Sequence, residues 1–103
     1  TMDEPRAEIC CEVGGIFLER ELHRQAAYWY GQALAVPTDK KNGGFFIAEC
    51  HGFVPYMQLC VCYDRMGCPE QAFFFHKKAS EQKPEDPGVL YNQKYFREKY
   101  GLL

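Results

Sequence analysis

The chain has 103 residues, of which 47% are hydrophobic and 16% aromatic, and its formal net charge is −2. This size predicts one domain with a modest core, and the apolar content excludes an intrinsically disordered protein. The charge offers no basic face for nucleic acid, and no apolar run approaches the ~20 residues that a membrane span needs. No signal peptide is visible, and the Thr-Met start resembles a tag remnant, so we expect a fragment of a longer protein.

The chain contains six cysteines, an even number that is compatible with three disulfides in a secreted protein. Four of them, however, fall within apolar helical segments, where cysteine behaves as a small hydrophobe. These four are Cys10, Cys11, Cys60 and Cys62. Because neighbouring residues on a helix point about 100° apart, they cannot bridge each other. We therefore expect reduced cysteines and a cytoplasmic protein.

Residues 4–36 predict a first helical hairpin. Asp3 or Glu4 is expected to cap its first helix, which has Pro5 in the first turn and ends between residues 18 and 20. The predicted inner stripe of this helix is Ile9, Val13 and Phe17, widened by Cys10 and Gly14. The second helix is predicted over residues 22–36, with an inner face of Ala26, Tyr30, Ala33 and Leu34.

Residues 37–52 interrupt the helical pattern. They begin with polar residues, pass through Gly43-Gly44 and then become apolar at Phe45, Phe46 and Ile47. A purely solvated loop does not carry three consecutive large apolar residues. We expect this segment either to fold back on the helices or to contact a partner.

Residues 53–83 predict a second hairpin, with helices over residues 53–66 and 69–82. Gly67 is expected to end the first of these helices in a left-handed conformation, and Pro84 to stop the second. A last helix is predicted over residues 86–100. Its start is marked by Asp86-Pro87, and its inner face by Val89, Phe96 and Tyr100. This helix resembles the capping helix that closes helical repeat arrays.

The two hairpins are related by an internal repeat with an offset of 46 residues. The repeat aligns, without a gap, the pairs Val13 and Leu59, Gly14 and Cys60, Phe17 and Tyr63, Ala26 and Ala72, Tyr30 and His76, and Ala33 and Ala79. Glu21 departs from the pattern because it stands at the position of Gly67. The order of residue types resembles the tetratricopeptide (TPR) hairpin, whose period is about 34 residues. The sequence therefore predicts an all-α fold, an α–α superhelix of two TPR-like hairpins and a capping helix.

Cys60-x-Cys62, with Cys50-His51 nearby in the sequence, is the strongest candidate for a metal site. Structural zinc sites usually leave two residues between paired ligands and place them on a turn rather than within a helix. Cys60 also occupies a position where close helix packing favours a small residue. We expect these cysteines to be core residues and the chain to bind no metal.

His76 and Cys68 are the candidates for chemistry at a single side chain. His76 stands where the first hairpin has Tyr30, which favours a packed histidine over a catalytic base. Cys68 precedes Pro69 and is either a helix cap or a reactive thiol. No paired carboxylates, phosphate-binding glycine loop or nucleophile elbow accompany them. We expect neither a catalytic residue nor a cofactor.

Two longer stretches carry a narrower resemblance, from GGFF and CHGFVPYMQLCVCYDRMG to EQAFFFHKKASEQKPEDPGVLYNQKYF. Over residues 7–96 the chain resembles the C-terminal helical region of bacterial family 2 glycosyltransferases, among them the peptide S-glycosyltransferases of glycocin biosynthesis. QLCVCYDRMG and PGVLYNQKYF are its most specific parts. The resemblance implies a TPR-like tail behind a GT-A catalytic domain. Since the chain contains no Asp-x-Asp, no catalytic residue of such enzymes has a counterpart here.

Two classes of function remain, and both are non-catalytic. The first is an interaction or dimerisation module at the end of a glycosyltransferase, and the second is a stand-alone TPR adaptor that binds a peptide in its concave groove. The resemblance implies that partners dock on the first helix of each hairpin. The predicted partner-binding residues are Phe45, Phe46 and Ile47 in the connecting segment, Met57, Val61, Asp64 and Arg65 on the third helix, and Tyr91 and Tyr95 on the last. The alternative is that Met57, Val61 and the tyrosines are core residues.

Overall fold

The computed structural model describes residues 7–36 and 52–102. Within these ranges the chain forms helices and no strand, which confirms the predicted all-α class. The helices are α1 (Ala7–Glu19), α2 (His23–Ala35), α3 (Phe53–Arg65), α4 (Pro69–Gln82) and α5 (Pro87–Tyr100). Their bounds agree with the predicted ones to within one or two residues where both can be compared. The predicted cap of α1 at Asp3 or Glu4 lies outside the described residues.

The helices pack mainly on their neighbours in the sequence. α1 packs on α2 and α3 packs on α4, so that each pair forms a hairpin, and α2 packs on α3 to join the two. α5 packs on α4 at the end of the row. The core is therefore a series of seams between successive helices.

The turns inside the two hairpins have the same backbone structure at the offset of 46 residues. The amide of Leu22 donates to the Phe17 carbonyl at 2.9 Å, and the amide of Cys68 donates to the Tyr63 carbonyl at 2.8 Å. Each turn also contains a bond from the preceding amide to the carbonyl three residues earlier, of 2.9 and 3.1 Å. Together these bonds form the Schellman motif, which ends a helix with one left-handed residue.

The left-handed residue of the second turn is Gly67, with φ 81°, and that of the first is Glu21, with φ 59°. Among the described residues, Glu21 is the one non-glycine with a positive φ. A side chain in this region costs about 1–2 kcal/mol because its Cβ crowds the backbone. Glu21 therefore differs from Gly67 in residue type, whereas the backbone conformation of the turn is the same.

Replacing Glu21 with glycine is expected to raise the free energy of unfolding by about 0.5–1 kcal/mol. The gain is smaller than the steric strain because glycine loses more backbone entropy on folding. Urea denaturation measures the change. The matched control is Glu12→Gly, at an exposed position inside α1, which should instead lose about 1 kcal/mol. A similar loss of unfolding free energy in both variants would contradict the left-handed conformation of Glu21.

Nine of the twelve repeat positions are buried, whereas Val13, Phe17 and Tyr63 are half-buried. Ala26, Ala33, Ala72 and Ala79 have no exposed surface, and Tyr30 and His76 are almost fully buried. The small side chains allow the helices to approach closely, and the larger rings fill the space between them. Burial alone does not distinguish the four alanines from core residues of another kind of helical bundle.

The predicted inner stripe of α1 is wrong at Ile9, which is 48% exposed. The buried face of α1 is instead Ala7, Cys10 and Gly14, with Val13 and Phe17 half-buried. The physical reason is that, among the described helices, α1 packs almost entirely on α2, and Ile9 is exposed on a side that α2 does not cover. Its hydrophobicity therefore did not indicate the side that faces α2.

α5 begins and ends as predicted from its local sequence. The Asp86 carboxylate accepts hydrogen bonds from the amides of Gly88 at 2.8 Å and Val89 at 3.3 Å, and Pro87 occupies the first turn. This arrangement satisfies two amides that have no partner within the helix. Val89 and Phe96 are the buried residues of its inner face, and Tyr100 is half-buried.

Candidate functional site

The main candidate site is a groove between α3 and α5 with a volume of about 260 Å³. We call it the α3–α5 groove, and its lining residues are Cys60, Val61, Asp64, Arg65, Tyr91, Asn92, Tyr95 and Phe96. Ligand sites for small molecules usually measure about 300–1,000 Å³. The α3–α5 groove is thus sized for one or two side chains of a partner rather than for a whole drug-sized molecule.

Helical spacing places the lining residues on facing sides of the two helices. Val61 and Arg65 are one turn apart on α3, and Tyr91 and Tyr95 are one turn apart on α5. Arg65 and Tyr91 are exposed, the latter at 70%, whereas Val61 and Tyr95 are half-buried. The groove therefore presents an aromatic ring and a cation at its rim and apolar surface at its floor.

Asp64 holds the C-terminal half of α5 against α3. Its carboxylate accepts hydrogen bonds from the hydroxyl groups of Tyr95 at 2.7 Å and Tyr100 at 2.9 Å. The hydrogen bond to Asp64, together with burial, raises the pKa of Tyr95, so this hydroxyl stays protonated as a donor. Lys99 donates to the Tyr95 hydroxyl at 3.2 Å, and its ammonium group lies 5.3 Å from the centre of the Tyr95 ring. One wall of the groove is thus fixed by charge-assisted bonds.

The structure brings together five of the predicted partner-binding residues, which are Val61, Asp64, Arg65, Tyr91 and Tyr95. Met57 lies beside the groove, where its sulfur is 3.9 Å from the side-chain nitrogen of Asn92. The predicted residues Phe45, Phe46 and Ile47 lie outside the described residues. Both oxygens of Asp64 already accept bonds from α5, so its first role is structural.

Sequence analysis missed Cys60, Asn92 and Phe96 as lining residues of the groove. A signal for them is a second offset, of 34 residues, that relates α3 to α5. It aligns Phe53 with Pro87 at the helix starts and Gly67 with Gly101 at the ends, and both glycines have a positive φ. By this alignment α5 corresponds to α3, which is the first helix of its hairpin. The alignment therefore indicates which residues of α5 lie on the side towards α3.

His76 is a buried histidine, 2% exposed, between the rings of Phe73 and Phe96. Its Nδ1 has no hydrogen-bond partner. Burial, and secondarily the nearby charge of Lys77, lowers the pKa of His76 from its ordinary value of 6.5. The position is a packed slot between helices, with an aromatic ring on each of two sides.

Acid is expected to destabilise the fold through His76. Because the pKa of His76 is lower in the folded chain than the 6.5 of the unfolded chain, the unfolded chain binds more protons between these two values. Stability should therefore fall as the pH drops from 6.5 towards the folded pKa, by at most about 1.4 kcal/mol per pH unit. Urea denaturation between about pH 5 and 8 measures this slope.

The variants His76→Gln and His76→Phe separate this effect from other acid effects. Both remove the titrating group, and the second also preserves an aromatic ring in the slot. Each should show a shallower loss of stability below about pH 6.5 than the wild type. If the wild type and both variants lose stability with the same slope, His76 is not the group responsible.

The described cysteines are free thiols, and three of them are buried. Burial raises the pKa of Cys60 to about 12 and that of Cys62 to about 11, so both stay protonated at neutral pH. Cys60 packs with Ala72 and Phe96, whereas Cys62 packs with Ala26 and Leu59 in a separate cluster. Their thiols thus belong to different seams, and in residues 7–36 and 52–102 no three His, Cys, Asp or Glu side chains group as metal ligands would.

A second cavity, of about 410 Å³, lies beside the α3–α4 turn. Its lining residues are Arg24, Ala27, Tyr28, Tyr63, Met66 and Cys68. Cys68 stands at the cap position of α4, as one interpretation predicted, but its side chain makes no capping hydrogen bond. Its backbone instead joins the two helices, since its amide donates to the Tyr63 carbonyl at the end of α3 and its carbonyl accepts from the Ala72 amide in α4.

No protein-family model matches the chain, and comparisons with curated proteins and with solved structures find no similar protein. Among the described helices, none combines the length and the apolar character that a membrane crossing requires.

Proposed function

We propose that this chain is a non-catalytic, TPR-like interaction module that binds a protein or peptide in the α3–α5 groove. The observation that carries the proposal is the groove itself, which gathers aromatic, apolar and charged side chains from two helices. Protein interfaces favour Tyr and Arg as anchors, with polar groups at the rim. Tyr91 and Arg65 are exposed at the groove and provide such anchors without a change in the fold.

The TPR-like arrangement is supported by three features of the described residues. The hairpins share seam residues and turn geometry at the offset of 46, and the offset of 34 between α3 and α5 equals the TPR period of about 34 residues. The connecting segment accounts for the longer spacing between the first two repeats. In such an array the first helix of each repeat lines one face, as α3 and α5 line the groove.

The resemblance to family 2 glycosyltransferases suggests what the module serves. We propose that it lies in the cytoplasm and binds either the catalytic domain of a parent transferase or the acceptor peptide. The alternative is a stand-alone adaptor that uses the same groove. Reading the codons upstream of Thr1 separates these two. The isolated chain is expected to transfer and hydrolyse no nucleotide sugar, and turnover above that of a blank preparation would contradict the non-catalytic proposal.

Peptide binding is tested by selecting a random twelve-residue display library on the immobilised full chain. Selected peptides are then titrated against Tyr91→Ser and Arg65→Ser, which alter exposed groups at the groove. Each substitution should weaken binding at least about tenfold, or about 1.4 kcal/mol. The matched control is Phe74→Ser, an exposed aromatic on α4 outside the groove. A selection whose peptides bind all four proteins equally, or no selected peptide at all, would contradict the proposal.

Self-association is the second candidate, and the apolar run Phe45-Phe46-Ile47 favours it. This run would contact a second copy or the catalytic domain together with the adjoining helices. Replacing Phe45 and Phe46 with serine should then lower the associated mass in light scattering and leave helicity intact. A chain that stays monomeric at high concentration and binds no catalytic domain excludes this candidate, and unfolding of the double variant would instead identify the two residues as core.

A further inference from the structure

Two isoleucines on α1 form an exposed apolar face. Ile9 is 48% exposed and Ile16 is 50% exposed. They are seven residues apart, so they lie on the same side of the helix, about 10 Å from each other. Single exposed apolar residues are common on protein surfaces, but two large ones two turns apart on one helix face call for a comparison with the other first helices of the chain.

The equivalent residues of the other two first helices are buried. The offset of 46 takes Ile9 to Pro55 and Ile16 to Cys62, and the offset of 34 then takes these to Val89 and Phe96 on α5. All four equivalents are less than 2% exposed. The same two positions are therefore covered in α3 and in α5, and open in α1.

The preceding helix contacts three of these four equivalents. Cys62 lies in a cluster with Ala26 and Ala27 of α2, whereas Val89 packs with Ala79 of α4. Phe96 packs with Ala72, also of α4. α4 presents alanines seven residues apart to α5, since Ala72 packs with Phe96 and Ala79 packs with Val89. α2 has alanines at the same spacing, of which Ala26 packs with Cys62 of α3 and Ala33 packs with Ala7 and Cys10 of α1. Small residues at this spacing allow the backbones of two helices to approach closely along two turns.

The other end of the row carries no comparable face. At the positions that correspond to the seam residues Leu59, Cys60 and Tyr63 of α3, α5 has Gln93, Lys94 and Arg97, and all three of these are exposed. The outer side of α5 is thus polar, as on the capping helices of repeat arrays. This explanation does not apply to α1, because its face at Ile9 and Ile16 is apolar.

We propose that the face of α1 formed by Ile9 and Ile16 binds an amphipathic α-helix with small residues seven apart, of the kind that α4 presents to α5. This surface lies on α1 and is distinct from the α3–α5 groove. The proposal follows from the comparison of the repeats and does not depend on peptide binding in that groove. α1 contains Glu8, Glu12 and Glu19 and no basic residue, while α2 contains Arg24 and no acidic residue. The partner helix therefore resembles α2 in charge as well, with basic rather than acidic residues at its edges.

The test supplies such a helix at the correct distance by duplicating residues 7–52 within the full chain, directly ahead of residue 7. Because this insert equals the repeat offset, the duplicated α2 precedes the downstream α1 as the natural α2 precedes α3. Ile9→Ser with Ile16→Ser in the downstream copy should then lower the melting temperature by at least about 4 °C. The matched control carries the same two substitutions in the upstream copy, whose α1 remains terminal, and should change the melting temperature by less than about 1 °C.

Equal losses from the two placements, or no loss from either, would overturn the proposal. So would an undoubled chain that is dimeric in sedimentation velocity and becomes monomeric with the two serines, since the occupant would then be a second copy of α1. Groove variants such as Tyr91→Ser are expected to have no effect on this assay, so the failure of one proposal can be told from that of the other.

If the duplicated chain does not fold, a synthetic peptide of residues 22–36, held helical by a hydrocarbon staple, replaces the insert as the probe. Its binding to the full chain should weaken at least about tenfold when Ile9 and Ile16 are both replaced with serine. Absence of binding, or binding of equal strength to both proteins, would contradict the proposal.

Discussion

Replacing Phe96 with alanine is expected to lower the free energy of unfolding by about 3–5 kcal/mol, because it removes the buried ring that attaches α5. Phe96 is 1% exposed and packs in one cluster with Cys60 of α3 and Ala72 of α4. Its ring centre lies 5.4 Å from that of Phe73 and 5.5 Å from that of His76. The loss combines the transfer of the ring to water with a cavity that these neighbours cannot fill.

The effect should be concentrated in α5, since α3 and α4 also pack on each other, and α1 and α2 pack on each other and not on α5 among the main helix pairs. Urea denaturation gives the total loss, and hydrogen exchange should show the amides of α5 unprotected before those of α1 and α2. The matched control is Leu90→Ala, at a 49% exposed position on the same helix, which should cost less than about 0.5 kcal/mol. A Phe96→Ala variant with wild-type stability would show that α5 is held by other contacts.

The helices could be predicted from the sequence because their signals are local. Prolines, the Asp86 cap and the left-handed Gly67 fix where helices begin and end, and the spacing of alanines fixes which faces meet. Ile9 shows the limit of such signals. Its position in the hydrophobic pattern suggests burial, but burial depends on whether another helix covers that face, and this information does not lie in α1.

The groove could be predicted only in part for a similar reason. The spacing of Val61 and Arg65 places them on one face of α3, and that of Tyr91 and Tyr95 does the same on α5. Which faces oppose each other is decided by tertiary contacts, above all the bonds from two tyrosine hydroxyls to Asp64. These pairs are separated by 31 and 36 residues, and no local pattern indicates them.

Gly14→Cys is expected to lower the free energy of unfolding by about 1–3 kcal/mol, because the first hairpin has no space for a side chain at this point. A Cβ built on Gly14 would lie 2.9 Å from the Cε2 atom of the Tyr30 ring. Both residues belong to packed helix faces, so neither the ring nor the backbone of α1 can move without a loss of contacts. The gain in helix propensity on replacing glycine, up to about 1 kcal/mol, offsets only part of this cost.

The second hairpin suggests how this clash can be relieved, because the equivalent pair there is Cys60 with His76. It combines a larger residue on the first helix with a smaller ring on the second, at a similar total size. The double variant Gly14→Cys with Tyr30→His should therefore recover most of the stability that Gly14→Cys loses, and a double-mutant cycle in urea should give a favourable coupling of at least about 1 kcal/mol. Gly15→Ala is the matched control, because its nearest contact is the Tyr30 hydroxyl oxygen at an ordinary 3.5 Å, and it should be neutral or slightly stabilising. Additive losses from Gly14→Cys and Tyr30→His would mean that the two hairpins share a pattern of residues but not the same packing.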